Sequence, residues 1–309
     1  MSIQIKNLTK LYDRQKALDD ISFSVASGEI VGFLGPNGAG KSTTMKIATG
    51  FIPATTGTVH VDGLDIRTHA LKVKRRIGYL PEHNPLYLDM YVHEYLGFVG
   101  ATCGLTGRVL RDRVGEMVER CGLTREQNKR IESLSKGYRQ RVGFAQALLH
   151  NPSVLILDEA TSGLDPNQLV EIRQLIRSAG KDKTVLFSTH ILQEVQALCD
   201  RVVVINKGTI VADDLISNLM KQGTGRTSVR VEFEGPVEAT ALRQLQGVEH
   251  VHQEGPGIFI LSGKEAVDLR PAIFQFAAGA GLSLIGLRQT GNSLEDIFKG
   301  LTANETVRQ

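Results

Sequence analysis

A glycine-rich turn between an apolar run and a helical pattern constrains this chain more than any other segment; the stretch is EIVGFLGPNGAGKSTT, residues 29–44. The apolar residues before the turn predict a buried strand. The turn fits G-x-x-x-x-G-K-S/T, with Gly35, Gly40, Lys41 and Ser42 at the fixed positions. An ordinary glycine-rich turn is the alternative, but the strand before it and the helix after it favour a phosphate-binding loop.

The residue types in this turn suit the binding of phosphate oxygens. Glycines let backbone N–H groups converge on an anion without a Cβ in the way. The N-terminus of the following helix adds a partial positive charge, and Lys41 adds a full one. The hydroxyl of Ser42 is then free to bind Mg²⁺.

Composition narrows the class of protein. The chain has 309 residues, which is enough for two domains, and its 41 % hydrophobic and 22 % charged content is ordinary for a soluble protein. No apolar run is long enough to span a bilayer, and the segment MSIQIKNLTK lacks the apolar core of a signal peptide. A net charge of +3, spread evenly, does not favour a nucleic-acid partner. The three cysteines are scattered, so we expect free thiols in a reducing cytoplasm.

Strands alternate with helices over the first two thirds of the chain. Residues 1–28 have strand-like alternation, interrupted by the polar segment LYDRQKALDD, which we interpret as a connection carrying Tyr12. Continuous apolar runs at residues 154–160 and 184–190 predict buried strands, and residues 106–150 predict helices. This order indicates an α/β domain with a largely parallel sheet.

A second, smaller domain is predicted after a change of composition in KQGTGRTS, residues 221–228. We therefore expect a first domain at 1–220 and a second at 228–309. The pattern of the second is β-α-β-β-α-β, which is typical of ferredoxin-like folds. Its last segment, SLEDIFKGLT, predicts a short closing helix with Ser293 as N-cap.

Two adjacent carboxylates end one of the buried strands. Asp158 follows an apolar run, where it is expected to reach the Mg²⁺ shell opposite Ser42. Glu159 comes next and is expected to orient or deprotonate a water that faces the γ-phosphate. A helix N-cap or a surface turn is the alternative for such a pair, but the strand before it and the phosphate loop favour the catalytic interpretation.

Further motifs in the right order resemble those of the ATP-binding-cassette (ABC) ATPases. The segment LSKGYRQ is similar to their LSGGQ signature, with Ser135 and Gly137 at the positions that contact ATP across a dimer. Tyr12 matches the aromatic residue that stacks on adenine, residues 162–165 match the D-loop, and His190 matches the switch histidine. The resemblance implies a P-loop NTPase of the ABC type with a helical signature subdomain, in which two subunits enclose two ATP molecules.

The resemblance also assigns roles to single residues. Lys41 is expected to contact the β- and γ-phosphates, Glu159 to act on the water, and His190 to sense the γ-phosphate. Ser42, Asp158 and Glu82 are expected to bind Mg²⁺. The expected ATP contacts are Tyr12, Gly35, Pro36, Asn37, Gly38, Ala39, Gly40, Lys41, Ser42, Thr43, Ser135 and Gly137.

Three positions depart from the family pattern. Glu82 stands where most members carry glutamine, and it adds negative charge near the γ-phosphate. Ala160 stands where proline usually follows the catalytic glutamate, which removes a fixed φ and is expected to loosen the D-loop slightly without stopping hydrolysis. Tyr138 replaces the more usual polar residue of the signature.

The second domain resembles the tail of the ATPases that serve ABC-2-type exporters, and several segments resemble the gliding-motility-associated ATPase of Bacteroidetes. This implies a homodimer, or paired ATPase subunits, that drives an integral membrane permease through the region from Glu82 to Phe98. The chain would then be peripheral, on the cytoplasmic face of the inner membrane, and would contact the membrane only through the permease. Two alternatives stay open: a soluble cassette ATPase that acts on ribosomes or DNA, and a regulatory module that binds ATP without turnover.

Overall fold

The computed structural model describes residues 1–223, 226–235, 237–264, 267–290 and 298. The chain divides into two compact units, Met1–Asp214 and Leu215–Gln309. Within the described residues, no helix is both long enough and apolar enough to cross a membrane.

The first unit alternates strands and helices. Its strands are β1 (Ile3–Tyr12), β2 (Gln15–Val25), β3 (Ile30–Leu34), β4 (Thr56–Val61), β5 (Leu64–Asp65), β6 (Ile77–Leu80), β7 (Val154–Asp158), β8 (Thr184–Thr189), β9 (Arg201–Asn206) and β10 (Thr209–Leu215). Its helices are α1 (Lys41–Ala48), α2 (Ala70–Lys74), α3 (Val92–Thr102), α4 (Gly107–Arg120), α5 (Lys136–Leu148), α6 (Pro166–Gly180) and α7 (Leu192–Leu198).

A six-stranded sheet with the order β10-β9-β3-β8-β7-β6 forms the centre of this unit. The pairs β9/β3, β3/β8, β8/β7 and β7/β6 are parallel, as the alternation of strands and helices predicts. Every residue of β7 and β8 is buried, which explains their continuous apolar runs. Leu34 pairs with Thr189 and Asp158 with Ser188, so the loops that follow β3, β7 and β8 leave from one edge of the sheet.

The first strands of the chain form a separate sheet with the order β2-β1-β4-β5, in which the pairs β1/β2, β1/β4 and β4/β5 are antiparallel. The interpretation of LYDRQKALDD as a connection is wrong, because β1 continues to Tyr12 and β2 begins at Gln15. The chain reverses at Asp13, whose φ is +51°. Strands were predicted on both sides of this segment, but register shifts interrupt the alternation of β1 with β2, so the sequence pattern did not show that both strands continue to the turn.

Helices α4 and α5 occupy the segment for which helices were predicted, separated by a 3₁₀ turn at Ile131–Ser133. On α4, Met117 and Val118 are buried, whereas Leu110 and Val114 of the predicted apolar face are only half-buried.

The second unit begins with α8 (Ile216–Gly223). It continues with β11 (Arg226–Glu234), α9 (Ala239–Arg243), β12 (Val248–Gly255), β13 (Ile258–Lys264), α10 (Arg270–Gly279) and β14 (Ser283–Thr290). Its sheet has the order β12-β13-β11-β14, with antiparallel pairing throughout. Its own core includes Val229, Val231, Phe259 and Leu261. The predicted closing helix at SLEDIFKGLT lies outside the described residues, apart from Phe298.

Candidate nucleotide site

The turn between β3 and α1 is shaped by glycines that no other residue could replace without strain. A Cβ on Gly35 would lie 2.3 Å from the carbonyl oxygen of Ile205. Gly40 has φ = +110°, and a Cβ there would lie 2.8 Å from the carbonyl oxygen of Ala17. Both contacts are with backbone, which cannot move aside, so the two fixed glycines of the motif are needed for the loop to pack against its neighbours.

Lys41 is buried at the start of α1, with only 5 % of its side chain exposed. Its Nζ donates to the carbonyl oxygens of Gly35 at 2.8 Å and Pro36 at 3.1 Å. The same Nζ lies 3.3 Å from Oε1 of Glu159, whose side chain is 9 % exposed. A charged ammonium group is therefore oriented by the loop and placed beside a carboxylate in a largely water-free setting.

Asp158 lies at the end of β7 and is 1 % exposed. Its Oδ1 accepts a hydrogen bond of 2.6 Å from the hydroxyl of Ser188 and one of 3.2 Å from the hydroxyl of Ser42. Burial raises the pKa of Asp158 above its ordinary value, while the two hydroxyl donors oppose that rise and the nearby Glu159 and Glu82 charges add to it.

The oxygen groups beside Asp158 fit a divalent cation. The hydroxyl of Ser42 and the carboxylate of Asp158 are in direct contact, and Glu82 lines the adjoining pocket. Hydroxyl and carboxylate oxygens are the protein ligands that Mg²⁺ prefers. The predicted Mg²⁺ residues therefore have suitable chemistry.

Glu159 follows the strand in an unusual backbone conformation, with φ = +50°. Its N–H points at both the carbonyl oxygen and the hydroxyl of Ser188, at 3.1 Å each. Its Oε2 lies 2.8 Å from Nδ1 of His190, while its Oε1 faces Lys41. The left-handed conformation costs a non-glycine residue about 1–3 kcal/mol and persists only where the surroundings enforce it. The two adjacent carboxylates thus face different partners.

These groups line a pocket of about 730 Å³, a size suited to a small-molecule ligand. The lining residues are Gln15, Lys16, Ala17, Asn37, Gly38, Gly40, Lys41, Ser42, Thr43, Glu82, Glu159, Ser162, His190 and Lys207. The predicted site residues outside this lining are Tyr12, Gly35, Pro36, Ala39, Ser135, Gly137 and Asp158. Gly35, Pro36 and Asp158 nevertheless contact residues that line it.

Two lysines of the lining were missed by sequence reasoning. Lys16 comes from the start of β2 and Lys207 from the turn between β9 and β10. The turn is tied to the phosphate loop, because the N–H of Gly208 donates to the carbonyl oxygen of Ala39 at 2.9 Å. The only signal in the sequence was the Lys-Gly turn itself, which says nothing about its distant neighbours.

Tyr12, Ser135 and Gly137 do not line the pocket, although Tyr12 pairs with the lining residue Gln15 where β1 turns into β2. The ring of Tyr12 is half-exposed, and Nζ of Lys10 lies 5.0 Å from its centroid. Ser135 is the N-cap of α5, with its hydroxyl accepting from the N–H of Tyr138 at 3.4 Å. Gly137 packs so closely on Gln168 that a Cβ would lie 2.4 Å from that side chain. Ser135 and Gly137 of the signature are therefore not part of the pocket that the phosphate loop lines in this chain.

A glycine turn, a buried lysine and paired carboxylates at the carboxyl ends of a parallel sheet define a P-loop nucleotide-binding protein. Comparison with known proteins narrows this class. The family model described as "ABC transporter" matches residues 18–162. The linearmycin resistance ATP-binding protein LnrL of Bacillus subtilis (strain 168) is 33 % identical over 306 residues, covering 97 % of this chain and 98 % of the relative. The bacitracin transport ATP-binding protein BcrA of Bacillus licheniformis is 33 % identical over 310 residues, covering 99 % and 98 %.

Among solved structures, that of the ATP-binding cassette MJ0796 superimposes on this chain with a TM-score of 0.64 at 26 % identity. It is described as a dimer in a post-hydrolysis state, bound to ADP and Pi. The superposition covers 69 % of this chain and 98 % of the MJ0796 chain. The chain therefore belongs to the ABC transporter family, as an ATP-binding subunit with ATPase activity.

Proposed function

We propose that this ATPase works as a homodimer, or with a paired ATPase subunit, and powers a separate integral membrane permease that exports its substrate. The names of the relatives support export, because they refer to linearmycin resistance and bacitracin transport. The chain would be peripheral, on the cytoplasmic face of the inner membrane, and would reach the membrane through the permease. A role in gliding motility is the narrower proposal that the sequence resemblance suggests, and loss of surface movement in a deletion strain would test it.

The dimer proposal rests on the observation that only one half of the expected ATP site lines the pocket of this chain. Lys41, Ser42 and Glu159 line the pocket, whereas Ser135 and Gly137 do not. Ser135 is exposed at the N-terminus of α5, where backbone N–H groups favour an anion. A second copy in head-to-tail arrangement would bring its own Ser135 and Gly137 to the ATP held by the first.

The roles of the site residues follow from their contacts. The ammonium group of Lys41 would bind the β- and γ-phosphates. Ser42, Asp158 and Glu82 would hold Mg²⁺, which neutralises phosphate charge when bound. Glu159 would accept the proton of a water or orient it, and the hydrogen bond of 2.8 Å that its carboxylate accepts from Nδ1 of His190 would fix the orientation of both side chains.

Coupling to the permease is proposed for the region from Glu82 to Phe98. Tyr87, Tyr91 and Phe98 are large apolar side chains that are 41–52 % exposed there. A second cavity of about 430 Å³ is lined by Glu82, Pro85 and other residues of this region, and also by Ser42 and Asp158. Glu82 lines both cavities, so a partner that binds the second would act directly on the Mg²⁺ residues.

For the second unit we propose a ferredoxin-like domain at 228–309. Its β-α-β-β-α-β order and its sheet order β12-β13-β11-β14 support this assignment.

The test has two arms. In the first, phosphate release by the purified chain is compared with that of Glu159→Gln, which keeps the size of the side chain and removes its basicity. We expect Glu159→Gln to lose about 100-fold or more in kcat, as general-base removal does. Wild-type turnover that the substitution leaves unchanged would refute the role of Glu159.

In the second arm, the tagged chain is recovered from solubilised membranes. An integral membrane protein in stoichiometric amount supports the transporter proposal. Recovery of ribosomal proteins in its place would favour the alternative of a soluble cassette ATPase.

A further inference from the structure

Glu194 is a fully buried glutamate in the first turn of α7, with 0 % exposure. Its Oε2 accepts two hydrogen bonds of 2.7 Å, one from the hydroxyl of Thr161 and one from that of Thr189. Both threonines are themselves at most 3 % exposed. Its Oε1 has no hydrogen-bond partner among the residues that the structure describes. One carboxylate oxygen thus accepts hydrogen bonds from two hydroxyl groups.

The two threonines flank the proposed catalytic pair. Thr161 lies two positions after Glu159, in the loop that follows β7. Thr189 is the last residue of β8 and comes directly before His190. Its hydroxyl also accepts from the N–H of Ile191 at 3.0 Å. The buried carboxylate therefore joins the loops after two neighbouring strands at the points where Glu159 and His190 leave the sheet.

The loop after β7 contains a residue in a strained conformation, so its backbone depends on contacts that hold it in place. Glu159 is in the left-handed region, which the surroundings must enforce. Ala160 comes next and has no ring to fix its φ. Its carbonyl oxygen is held by Nε2 of Gln140 at 2.8 Å, and the following residue, Thr161, is held by Glu194. The side-chain bond to Thr161 supplies part of the restraint that a proline ring would otherwise give.

Packing alone does not explain a glutamate here. A buried carboxyl group with one unpartnered oxygen costs free energy, and an apolar side chain of similar volume would avoid that cost. What an apolar side chain could not do is accept both hydroxyl hydrogen bonds and so fix the spacing of the two loops.

We propose that Glu194 is a positioning residue for ATP hydrolysis: through Thr161 and Thr189 it sets the distance between the loops that present Glu159 and His190 to the nucleotide. This rests on the roles proposed above for Glu159 and His190. Glu194 itself does not line the nucleotide pocket.

The test compares steady-state ATP hydrolysis by wild type and by variants of the full chain. Glu194→Ala removes both bonds, Glu194→Gln keeps an acceptor oxygen, and Thr161→Val and Thr189→Val remove one hydroxyl each. The matched control is Thr184→Val, at the other end of the same strand, where a buried threonine accepts from the N–H of Gly28.

We expect Glu194→Ala and Thr189→Val to lower kcat about 10- to 100-fold, because a buried hydrogen bond that supports the loops carrying Glu159 and His190 is lost. KM for ATP is expected to stay within about twofold, since Lys41 and the phosphate loop are untouched. Glu194→Gln should restore most of kcat, and Thr161→Val in the Glu194→Ala background should add no further loss, because the hydroxyl of Thr161 bonds only to Glu194 among the described residues. Thr184→Val should lower the melting temperature about as much as the other threonine variants do, but it should leave kcat unchanged.

Unchanged kcat in folded Glu194→Ala or Thr189→Val, or an equal loss in Thr184→Val, would overturn the proposal. If Glu194→Ala does not fold, the two threonine variants decide the question by the same criteria. Glu159→Gln is run in parallel: if it is inactive while the Glu194 and threonine variants keep full turnover, the positioning role fails and the catalytic assignment stands. If Glu159→Gln is fully active, the catalytic assignment itself fails.

Discussion

Ser188 contacts both Asp158 and Glu159, the two carboxylate residues of the site. Removing its hydroxyl should therefore lower the stability of the protein and weaken Mg²⁺ binding. Its hydroxyl donates to Oδ1 of Asp158 at 2.6 Å and lies 3.1 Å from the N–H of Glu159. In Ser188→Ala the N–H of Glu159 keeps the carbonyl oxygen of residue 188 as an acceptor. The net loss is therefore one short hydrogen bond to a buried carboxylate, which is worth about 1.5–3 kcal/mol of unfolding free energy.

The loss should depend on pH, because Asp158 titrates. Its pKa is already raised by burial, and the Ser188 hydroxyl is one of the groups that oppose the rise. Without that hydroxyl the pKa rises further, so the folded state retains a proton to higher pH than the unfolded state does. The destabilisation is then complete well above the raised pKa, where the unpaired carboxylate is charged. It shrinks as the pH falls through that pKa, since a protonated carboxyl needs the donor less.

Urea denaturation of wild type and Ser188→Ala measures the first effect, that on stability, at pH 8 and at a pH low enough to protonate Asp158 in the folded state. The Mg²⁺ concentration that gives half-maximal ATPase activity measures the second, which we expect to rise about tenfold, as is usual when a partner of a metal ligand is removed. Ser153→Ala is the control, because Ser153 makes a bond of the same 2.6 Å length to the more exposed Asp62. The control should change stability by less than about 0.5 kcal/mol and leave the Mg²⁺ requirement unchanged. Equal stability loss at both pH values, together with an unchanged Mg²⁺ requirement, would refute the reasoning.

Two further predictions concern the phosphate loop and the lining of the pocket. Gly35→Ala should destabilise the protein by about 1–3 kcal/mol and abolish fluorescent-nucleotide binding, because its Cβ meets a backbone oxygen. At Gly38 a Cβ would meet no neighbouring atom, but the backbone has φ = +78°, so Gly38→Ala should lower the free energy of unfolding by about 1 kcal/mol and retain some nucleotide binding. If Gly38→Ala were the more damaging of the two substitutions, the steric argument would be contradicted. Lys207→Ala should raise KM for ATP about threefold at low salt with kcat unchanged, and less at high salt, because the lysine contributes only charge to the lining. A fall in kcat with constant KM would instead assign Lys207 a part in the chemistry.

The parts of the site that the sequence predicted are those that depend on local pattern. The turn from Gly35 to Ser42 is a continuous motif. The strands β7 and β8 are fully buried runs; Asp158 is the last residue of β7, and His190 directly follows β8. Parallel pairing then brings these ends to one edge of the sheet, so the contact between Ser42 and Asp158 could be expected before the structure was known.

The parts that the sequence did not predict depend on irregular backbone or on distant neighbours. Strands were predicted in residues 1–28, but positive φ values at Asn7 and Asp20 interrupt their alternation, so the full lengths of β1 and β2 and the turn at Asp13 were not predicted. Lys207 enters the pocket only through the packing of its turn against the phosphate loop. Glu194, a charged residue in a short helix, looks like a surface residue until its complete burial is seen.

The proposal that each ATP site is shared between two chains is tested most directly by mixing two inactive variants. Lys41→Ala removes the phosphate-loop charge, and Ser135→Arg blocks the signature. In a head-to-tail dimer, a mixed pair has one site in which the phosphate loop of one chain and the signature of the other are both intact. The account predicts that the equimolar mixture regains ATPase activity, up to about one quarter of the wild-type value per chain. A mixture as inactive as its separate components would contradict the shared site.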